Sequence, residues 1–291
     1  MLISASLPIA PVPGLSTLAP RYRALLCDVW GVIHDGETAR KSAVDALVRF
    51  RAEGGRVVLI TNAPRPNIYV ARQLEDLAVP RAAWDDIVTS GDCVRDLLTA
   101  RAPLKVLHVG RDTHLPLYDD LDVELVDEAA CDLVSCTGLY DEDGETPEDY
   151  AGRLAAWRAR NLPLLCANPD VRVQRGERLI WCAGALALAY EERGGETEVI
   201  GKPHPLIYDR AFAALERLAG PVDPGEVLAV GDGVRTDIRG AAARGIDALY
   251  VTAGVDTARF GPRDAPAADL VSAFLAEAEL PAIGFQAHLS W

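Results

Sequence analysis

The 291-residue sequence contains no apolar run that approaches the roughly 18 residues needed to cross a bilayer. Its first segment, residues 1–20, has no basic region and is interrupted by Pro8, Pro11 and Pro13. That pattern is not typical of a secretory signal. We therefore expect a soluble, cytoplasmic protein that does not bind membranes.

Positive charge is scarce as well. The chain has 29 Lys and Arg against 43 Asp and Glu, which gives a formal net charge of -14 and an isoelectric point near 4.8. Nucleic acids and anionic membranes attract basic patches, so this balance argues against both as partners. A small anionic substrate is still compatible with it, because a local site can oppose the overall sign.

Several cysteine and nucleotide motifs are missing. None of the six cysteines forms a C-x-x-C pair, and most stand in apolar surroundings, which favours reduced core thiols over zinc ligands or disulfides. There is no Walker A sequence. Gly231 and Gly233 are followed by Thr236 where a dinucleotide-binding loop has its third glycine, so that motif fails too.

What the chain does have is an alternation of strand-like and helix-like segments. Short apolar runs bounded by turn signals predict buried strands of a parallel sheet, and this rhythm predicts a doubly wound, Rossmann-like α/β fold. The predicted strands are the run that ends before Asp28 and residues 56–60, 86–89, 106–109, 123–126, 133–136, 164–167, 227–230 and 248–251, the last of which should close the sheet. The predicted helices are residues 42–52, 68–77, 92–100, 147–160, 183–193 and 206–218.

The length and the strand pattern predict two domains. A chain of 291 residues exceeds the usual size of a single hydrophobic core. The alternation of predicted strands and helices is interrupted near residues 101–103, and a second series of strands and helices follows. The alternation seen in the first series resumes near Val199. We therefore predict a core built from residues 1–100 and 198–291, with a smaller α/β domain, residues 101–197, inserted into it.

Polar side chains stand at the ends of predicted strands. Asp28, Thr61 and Asp232 each follow an apolar run, Asp237 comes five residues after Asp232, and Lys202 lies between a glycine and a proline. Ligands bind outside the carboxyl ends of strands in open α/β sheets. Carboxylates gathered there invite a hard divalent cation such as Mg²⁺, and an ammonium and a hydroxyl beside them would suit a phosphoryl group.

Each of these residues also has a plain structural interpretation. Asp28 could belong to a turn or a helix cap, Asp237 could cap the helix that follows it, and Lys202 could be a solvated loop residue. The occurrence of several such residues together is what favours a functional site.

The order of these motifs resembles that of the haloacid dehalogenase superfamily of phosphohydrolases. The resemblance spans about residues 23–254, and an insertion between the second and third motifs points to the class IIA branch, the p-nitrophenylphosphatase and sugar-phosphatase-like proteins. The motifs that carry it are an apolar strand ending in Asp28, a second ending in Thr61-Asn62, Asn168-Pro169-Asp170, Gly201-Lys202-Pro203, and Gly231-Asp232 with Asp237.

The resemblance implies a role for each motif. Asp28 would be the nucleophile that forms an aspartyl-phosphate, which water then hydrolyses. Lys202 would be the second catalytic residue and would steady the phosphoryl charge. Thr61 and Asn62 would bind phosphate or substrate, and the inserted domain would be a cap that closes over the substrate.

The resemblance also implies the metal site. Mg²⁺ would be held by Asp28, by Asp232 and by the backbone carbonyl of Trp30, with Asp237 supporting the site or Lys202. The Trp30 side chain could contact substrate or pack against the cap, and the sequence leaves both open.

Trp30 departs from the family pattern. Phosphatases of this family usually carry a second Asp two residues after the nucleophile, where it acts as a general acid, and such help is typically worth roughly a hundred- to ten-thousandfold. Either the leaving group needs little protonation, as in an aryl or acyl phosphate, or another group substitutes, or turnover is slow. The nearest substitutes in the sequence are His34, Asp35 and His204.

The sequence thus predicts a Mg²⁺-dependent hydrolase of small phosphate monoesters, such as sugar or aryl phosphates. Two alternatives stay open: a hydrolase of another kind, such as a dehalogenase, and a catalytically impaired protein that binds a phosphorylated ligand. We expect a small phosphorylated metabolite as partner and neither nucleic acid nor membrane. The physiological substrate and the oligomeric state are left open, although caps of this branch often pair, which would give a homodimer.

Overall fold

The computed structural model describes residues 9–176 and 178–291. Residues 1–8, part of the segment interpreted above as lacking a secretory signal, lie outside that range. The strands are β1 (Ala24–Cys27), β2 (Arg56–Thr61), β3 (Asp86–Thr89), β4 (Leu104–Val109), β5 (Val123–Leu125), β6 (Leu133–Cys136), β7 (Leu164–Cys166), β8 (Arg172–Arg175), β9 (Arg178–Trp181), β10 (Thr197–Val199), β11 (Val227–Gly231), β12 (Asp247–Val251) and β13 (Gly284–Gln286). The α-helices are α1 (Lys41–Ala52), α2 (Asn67–Asp76), α3 (Ser90–Arg101), α4 (Ala151–Ala159), α5 (Ala183–Glu191), α6 (Pro205–Ala219), α7 (Arg239–Ala243) and α8 (Ala268–Glu277).

Every predicted strand and helix is present, and the predicted α/β fold is confirmed. The predicted helix at 147–160 begins with a 3₁₀ turn, Pro147–Tyr150, before α4. None of the helices in the described part of the chain is long and apolar enough to cross a membrane.

One prediction about the sheet is wrong, because β12 is not its last strand. The short strand β13 pairs in parallel with β12, with Tyr250 opposite Phe285. On its other side, Phe285 accepts a hydrogen bond from the backbone N–H of Val12 (2.8 Å) and donates one to Ala10 (3.2 Å). A Gly-Phe-Gln segment has no apolar pattern of its own, so it becomes a strand only because partners lie on both sides. The hairpin of β8 and β9 and the helix α8 were also not predicted.

The chain forms two compact units. Unit 1 consists of the residues up to Ile60, Leu74–Asp86 and Ala211–Trp291, and unit 2 consists of Thr61–Gln73 and Ile87–Arg210. Unit 2 includes all of the predicted insertion, residues 101–197, together with segments from either side of it. The boundaries of the insertion stay a prediction.

Unit 1 contains a parallel sheet with β1 at its centre. The strand order is β13-β12-β11-β1-β2, and β3, whose first residue Asp86 belongs to this unit, follows at the edge. β1 pairs in parallel with both β11 and β2. All four residues of β1 are buried, as expected for a strand with neighbours on both sides and both faces covered.

Unit 2 contains a second parallel sheet with the order β10-β7-β6-β4-β5. Its apolar core includes the fully buried Trp157 and Tyr190 from α4 and α5, whose rings meet edge to face with centroids 6.3 Å apart. The chain runs from β4 to β5 on one side and then to β6 on the other. The order therefore reverses direction at β4, and a ligand-binding crevice is expected between the carboxyl ends of β4 and β6.

A buried ion pair in unit 1 ties α1 to the sheet. The Asp85 carboxylate is 6% exposed and accepts hydrogen bonds from Arg51 Nε (2.9 Å), Arg51 Nη2 (2.6 Å) and the backbone N–H of Val57 (2.8 Å). Removing one partner of a buried ion pair lowers the stability of the fold, because the other charge is left buried without a partner.

We expect Asp85→Ala to lower the free energy of unfolding by about 3 kcal/mol. This is the low end of the cost of breaking a buried pair, because Arg51 still donates to the carbonyls of Arg81 and Ala82. Urea unfolding followed by circular dichroism measures it. The matched control is Asp45→Ala, which removes the exposed Asp45–Arg49 pair on α1 (2.9 Å) and should cost less than about 1 kcal/mol. Equal losses in the two variants would contradict the assignment.

Candidate active site

The register of β1 on β11 sets two carboxylates side by side. Cys27 lies opposite Val230, and the backbone N–H of Asp28 donates to the Val230 carbonyl at 2.8 Å. Asp28 is the first residue after β1, and Asp232 is the first after β11. Two neighbouring parallel strands thus deliver one carboxylate each to the same edge of the sheet.

A π-helical turn adds a third carboxylate. Residues Val234–Ile238 form this turn before α7, and Asp237 Oδ2 accepts hydrogen bonds from the backbone N–H of Gly233 (3.1 Å) and from Thr236 Oγ1 (3.3 Å). A Cβ at Gly231 would overlap the Asp237 carboxylate, so the glycine at the end of β11 lets Asp237 fold back against the strand. Isolated π-turns are frequent at functional sites.

The three carboxylates form a compact, buried cluster. One oxygen from each of Asp28, Asp232 and Asp237 lies within 4.8 Å of the others, and the residues are only 6%, 9% and 4% exposed. Buried like charges at this spacing destabilise the fold unless a cation or a proton offsets them. A set of carboxylate oxygens fits a hard divalent cation such as Mg²⁺.

Backbone encloses the Asp232 carboxylate. Its Oδ2 accepts a hydrogen bond from the N–H of Val255 at 3.1 Å. A Cβ at Gly31 or at Gly254 would overlap this oxygen, and Gly31 also has a φ of 89°, in the left-handed region that favours glycine. The two glycines therefore let three loops meet around one side chain and fix where its oxygens point.

Trp30 and His34 pack together next to Asp28. Their ring centroids are 5.2 Å apart at an interplanar angle of 70°. Trp30 is half-buried and His34 is 1% exposed. His34 Nδ1 accepts a hydrogen bond from the N–H of Gly36 (2.9 Å), so a neutral His34 carries its proton on Nε2. The ring therefore supports the loop that holds Trp30.

The other two candidates for the missing acid differ from His34. Burial raises the pKa of Asp35, but hydrogen bonds from the backbone of Thr38 and Glu37 and the charge of Arg40 outweigh it, and the net pKa is below the usual value. Asp35 is therefore ionised at neutral pH and has no proton to donate. His204 belongs to unit 2 and is exposed.

A second group of predicted site residues lies in unit 2. Asn62 Oδ1 accepts a hydrogen bond from the backbone N–H of Lys202 (2.7 Å), and its Nδ2 donates to Asp170 Oδ1 (3.0 Å). Gly201 has a φ of 127°, and a Cβ there would crowd Asn62 Oδ1. Asn62 therefore fixes the main chain of Lys202, whose side chain is 2% exposed.

Thr61 is the last residue of β2, the strand that pairs with β1. It is 5% exposed, and its Oγ1 accepts a weak hydrogen bond from the N–H of Ala63 at 3.3 Å. The Asn168 side chain accepts a hydrogen bond from the N–H of Asp170 (3.0 Å), which forms the turn expected from its sequence.

The structure therefore joins Asp28, Asp232 and Asp237 within unit 1, and Asn62 and Lys202 within unit 2. Sequence reasoning missed the contribution of Gly254 and of Asp170. Gly254 stands just after β12 without any motif around it. The contact of Asp170 with Asn62 joins residues 108 positions apart, so only folding reveals it.

Two family models match this chain: haloacid dehalogenase-like hydrolase over residues 25–124, and HAD-hydrolase-like over residues 199–278. Among curated proteins, D-glycerol 3-phosphate phosphatase of Mycobacterium tuberculosis is 29% identical over 254 residues, which cover 84% of this chain and 67% of that protein.

Solved structures agree. A haloacid dehalogenase-like hydrolase from Brucella suis 1330 is 47% identical, covers 96% of this chain and 100% of its own, and superposes with a TM-score of 0.86. Glycerol phosphate phosphatase from Mycobacterium tuberculosis in complex with magnesium is 28% identical, covers 82% of this chain and 70% of its own, and has a TM-score of 0.62. These matches confirm the resemblance predicted from the motifs: this chain belongs to the family of haloacid dehalogenase-like hydrolases.

Proposed function

We propose that this hydrolase is a Mg²⁺-dependent phosphatase of small phosphate monoesters and that Asp28 is its nucleophile. The observation that carries the proposal is the convergence of Asp28, Asp232 and Asp237, all buried, at the carboxyl edge of a parallel sheet. The phosphatase activity of the Mycobacterium tuberculosis relative and the magnesium in its structure support it.

The metal site follows from the carboxylate cluster. Asp28, Asp232 and the backbone carbonyl of Trp30 would hold Mg²⁺, and Asp237 would support them. A bound Mg²⁺ would offset the clustered negative charge and stabilise the charge of the transferring phosphoryl group. The hydrogen bond from Val255 and the close approach of Gly254 keep Asp232 in one orientation for that purpose.

The reaction proceeds in two displacements. A carboxylate oxygen of Asp28 attacks phosphorus, and the bond from phosphorus to the ester oxygen breaks. The ester oxygen leaves with the bonding electrons as an alkoxide or phenolate, which takes a proton from water. A water oxygen then attacks the same phosphorus, and the bond to Asp28 breaks. Phosphate is released, the water proton passes to solvent or product, and the Asp28 carboxylate is restored.

Lys202 and Thr61 carry the supporting roles that the family resemblance assigns. Lys202 supplies a fixed positive charge for the phosphoryl group, and Thr61 supplies a hydroxyl donor. Asn62 acts through Lys202, because its amide holds the lysine main chain on both the N–H and the carbonyl side (2.7 and 3.5 Å). Residues 101–197 form the cap that chooses the leaving group.

The indole N–H of Trp30 is too weak an acid to protonate the leaving oxygen. His34 is 1% exposed and packed against the Trp30 ring, Asp35 is ionised at neutral pH, and His204 is exposed in unit 2. We infer that the alcohol leaves without a side-chain acid, so that aryl phosphates react faster than alkyl phosphates.

Asp28→Asn should reduce Mg²⁺-dependent release of p-nitrophenol from p-nitrophenyl phosphate by more than about a thousandfold, because the nucleophilic oxygen is lost. The assay is run with Mg²⁺ and with a chelator, and Asp45→Asn, an exposed aspartate of α1, serves as control and should retain activity. Undiminished release by Asp28→Asn would exclude Asp28 as the nucleophile. No metal-dependent release by the wild type would favour a phospho-ligand-binding protein.

Gly254→Ala should raise the Mg²⁺ concentration for half-maximal activity by about ten- to a hundredfold, because the added methyl group displaces the Asp232 carboxylate. The rise in melting temperature on adding Mg²⁺ gives a second reading without turnover. Gly225→Ala is the control, since a Cβ there meets no atom within 4 Å. An unchanged Mg²⁺ requirement in folded Gly254→Ala protein would rule out Asp232 as a ligand.

Trp30→Asp should speed the hydrolysis of alkyl phosphates by about a hundredfold relative to that of p-nitrophenyl phosphate, because it restores a general acid. Trp30→Phe, which removes the indole without adding a carboxyl group, should leave this ratio where it is. If folded Trp30→Asp protein shows no gain, another side chain already protonates the leaving oxygen.

A further inference from the structure

Two loops from distant parts of the chain enclose Asp232 in unit 1. Residues 29–40 lie between β1 and α1 and contain Gly31, and residues 252–264 follow β12 and contain Gly254. A Cβ at either glycine would overlap an oxygen of the Asp232 carboxylate. The position of that carboxylate therefore depends on how firmly the two loops are held.

The first loop folds back on itself and ends at Arg40. The N–H of Gly31 donates to the His34 carbonyl (2.7 Å), and the N–H of Arg40 donates to the Ile33 carbonyl (2.7 Å). An isolated β-bridge also joins His34 to Ala39. Because these contacts join the two ends of the loop, a shift of Arg40 is passed on to Gly31.

The Arg40 side chain reaches from this loop to the segment after β13. Its Nη1 lies 3.3 Å from His288 Nδ1. An arginine side chain has donors and no acceptor, so His288 Nδ1 accepts this hydrogen bond, and it can do so only in the neutral imidazole. The proton of neutral His288 is then on Nε2, which donates to Asp264 Oδ1 at 2.8 Å.

Asp264 belongs to the second loop, and two further hydrogen bonds hold that loop beside the same segment. The N–H of Ala253 donates to the Ala287 carbonyl at 3.0 Å. Arg263 Nη2 donates to the Ala253 carbonyl at 3.2 Å. His288 therefore lies between the two loops, and each of its ring nitrogens is bonded to one of them.

Protonation of His288 would break its hydrogen bond to Arg40. The side chain of His288 is 26% exposed, so protons from solvent reach it. A protonated imidazole carries an N–H on both nitrogens, so Nδ1 would turn a donor and a positive charge toward the Arg40 guanidinium. The contact between the two side chains therefore requires neutral His288.

Arginines and aspartates supply the other charges around Arg40. Burial, followed by the charge of Arg263, lowers the pKa of Arg40. Three carboxylates act in the opposite direction: Asp35, Asp232 and Asp264. Arginines stay charged and aspartates ordinarily titrate near about pH 4, so a histidine is the type of side chain here that ordinarily titrates between about pH 5 and 8.

We propose that His288 is a positioning residue of the metal site: in its neutral form it holds Arg40, and with it the loop of Gly31, in the place that Mg²⁺ binding by Asp232 requires. The inference rests on the proposed phosphatase function, because that proposal makes Asp232 a ligand. His288 acts through Arg40 and does not touch the carboxylate cluster. Acid therefore weakens Mg²⁺ binding through His288 as well as through the carboxylates themselves.

His288→Asn separates the hydrogen bond from the titration, because an asparagine oxygen can accept from Arg40 in place of Nδ1 and gains no proton in this pH range. At about pH 5.5 the wild type should need about three- to tenfold more Mg²⁺ than His288→Asn for half-maximal hydrolysis of p-nitrophenyl phosphate, and at about pH 7.5 the two should need the same. Protonation of carboxylates raises the requirement in both proteins, so it cancels in the comparison.

His288→Ala removes the acceptor at every pH. At about pH 7.5 it should raise the Mg²⁺ requirement by about three- to tenfold, less than is typical for groups that contact a metal ligand directly. Arg40→Met should do the same, and the double variant should be no worse than either, because both changes break one bond. Arg259→Gln is the matched control: it removes the pair with Asp256 (3.1 Å) from the second loop and should leave the requirement unchanged at both pH values.

The rise in melting temperature on adding Mg²⁺ gives the same comparison without turnover. We expect a smaller rise in the wild type than in His288→Asn at about pH 5.5 and equal rises at about pH 7.5. Equal rises at both pH values, or additive effects of His288→Ala and Arg40→Met, would overturn the proposal.

The two readings also separate this proposal from the proposed function. If the wild type does not hydrolyse p-nitrophenyl phosphate but the differences in melting temperature are present, the phosphatase is refuted and the positioning role of His288 stands. If the wild type hydrolyses it and the His288 and Arg40 variants need no more Mg²⁺ than the control, the positioning role is refuted and the phosphatase stands.

Discussion

The carboxylate cluster of the candidate site depends on one backbone register, that of β1 against β11. The hydrogen bond from Asp28 to Val230 aligns the ends of two parallel strands, and the next residue of each chain segment becomes a neighbour of the other. The hydrogen bonds between the strands offset the electrostatic repulsion between Asp28 and Asp232. Separating the strands would leave buried backbone N–H and C=O groups without partners. The fold therefore holds two negative charges close together, and this arrangement favours the binding of a cation between them.

Close approach of backbone, more than side-chain packing, shapes the surroundings of those charges. Gly31 and Gly254 let loops touch Asp232, and Gly231 lets Asp237 return to the strand end. A glycine allows a similar close contact in unit 2. Gly201 has no side chain, which leaves room for the Asn62 amide beside Lys202. Backbone N–H donors and close contacts at glycines hold the charged groups in place without flexible side chains. Catalysis of phosphoryl transfer requires charged groups that are preorganised in this way.

The distribution of charge is uneven in a way that the net value of -14 hides. Many arginines of the described residues are paired with carboxylates, at the surface or, as with Arg51 and Asp85, inside unit 1. Arg65 is held by a neutral glutamine instead. In unit 2, Lys202 is buried and Arg65 is half-buried.

The sequence by itself determined the parallel α/β fold, the family, and which aspartates stand at strand ends, because apolar runs and strand-end motifs are local patterns. It did not reveal β13, whose three residues form a strand only between β12 and the segment around Ala10. Nor did it reveal that the Asn62 amide fixes the main chain of Lys202, that Gly254 encloses Asp232, or that Arg65 bonds to the neutral Gln73. Tertiary structure alone decided these points, since each depends on which distant segments come within hydrogen-bond or van der Waals distance, and no spacing along the chain encodes that.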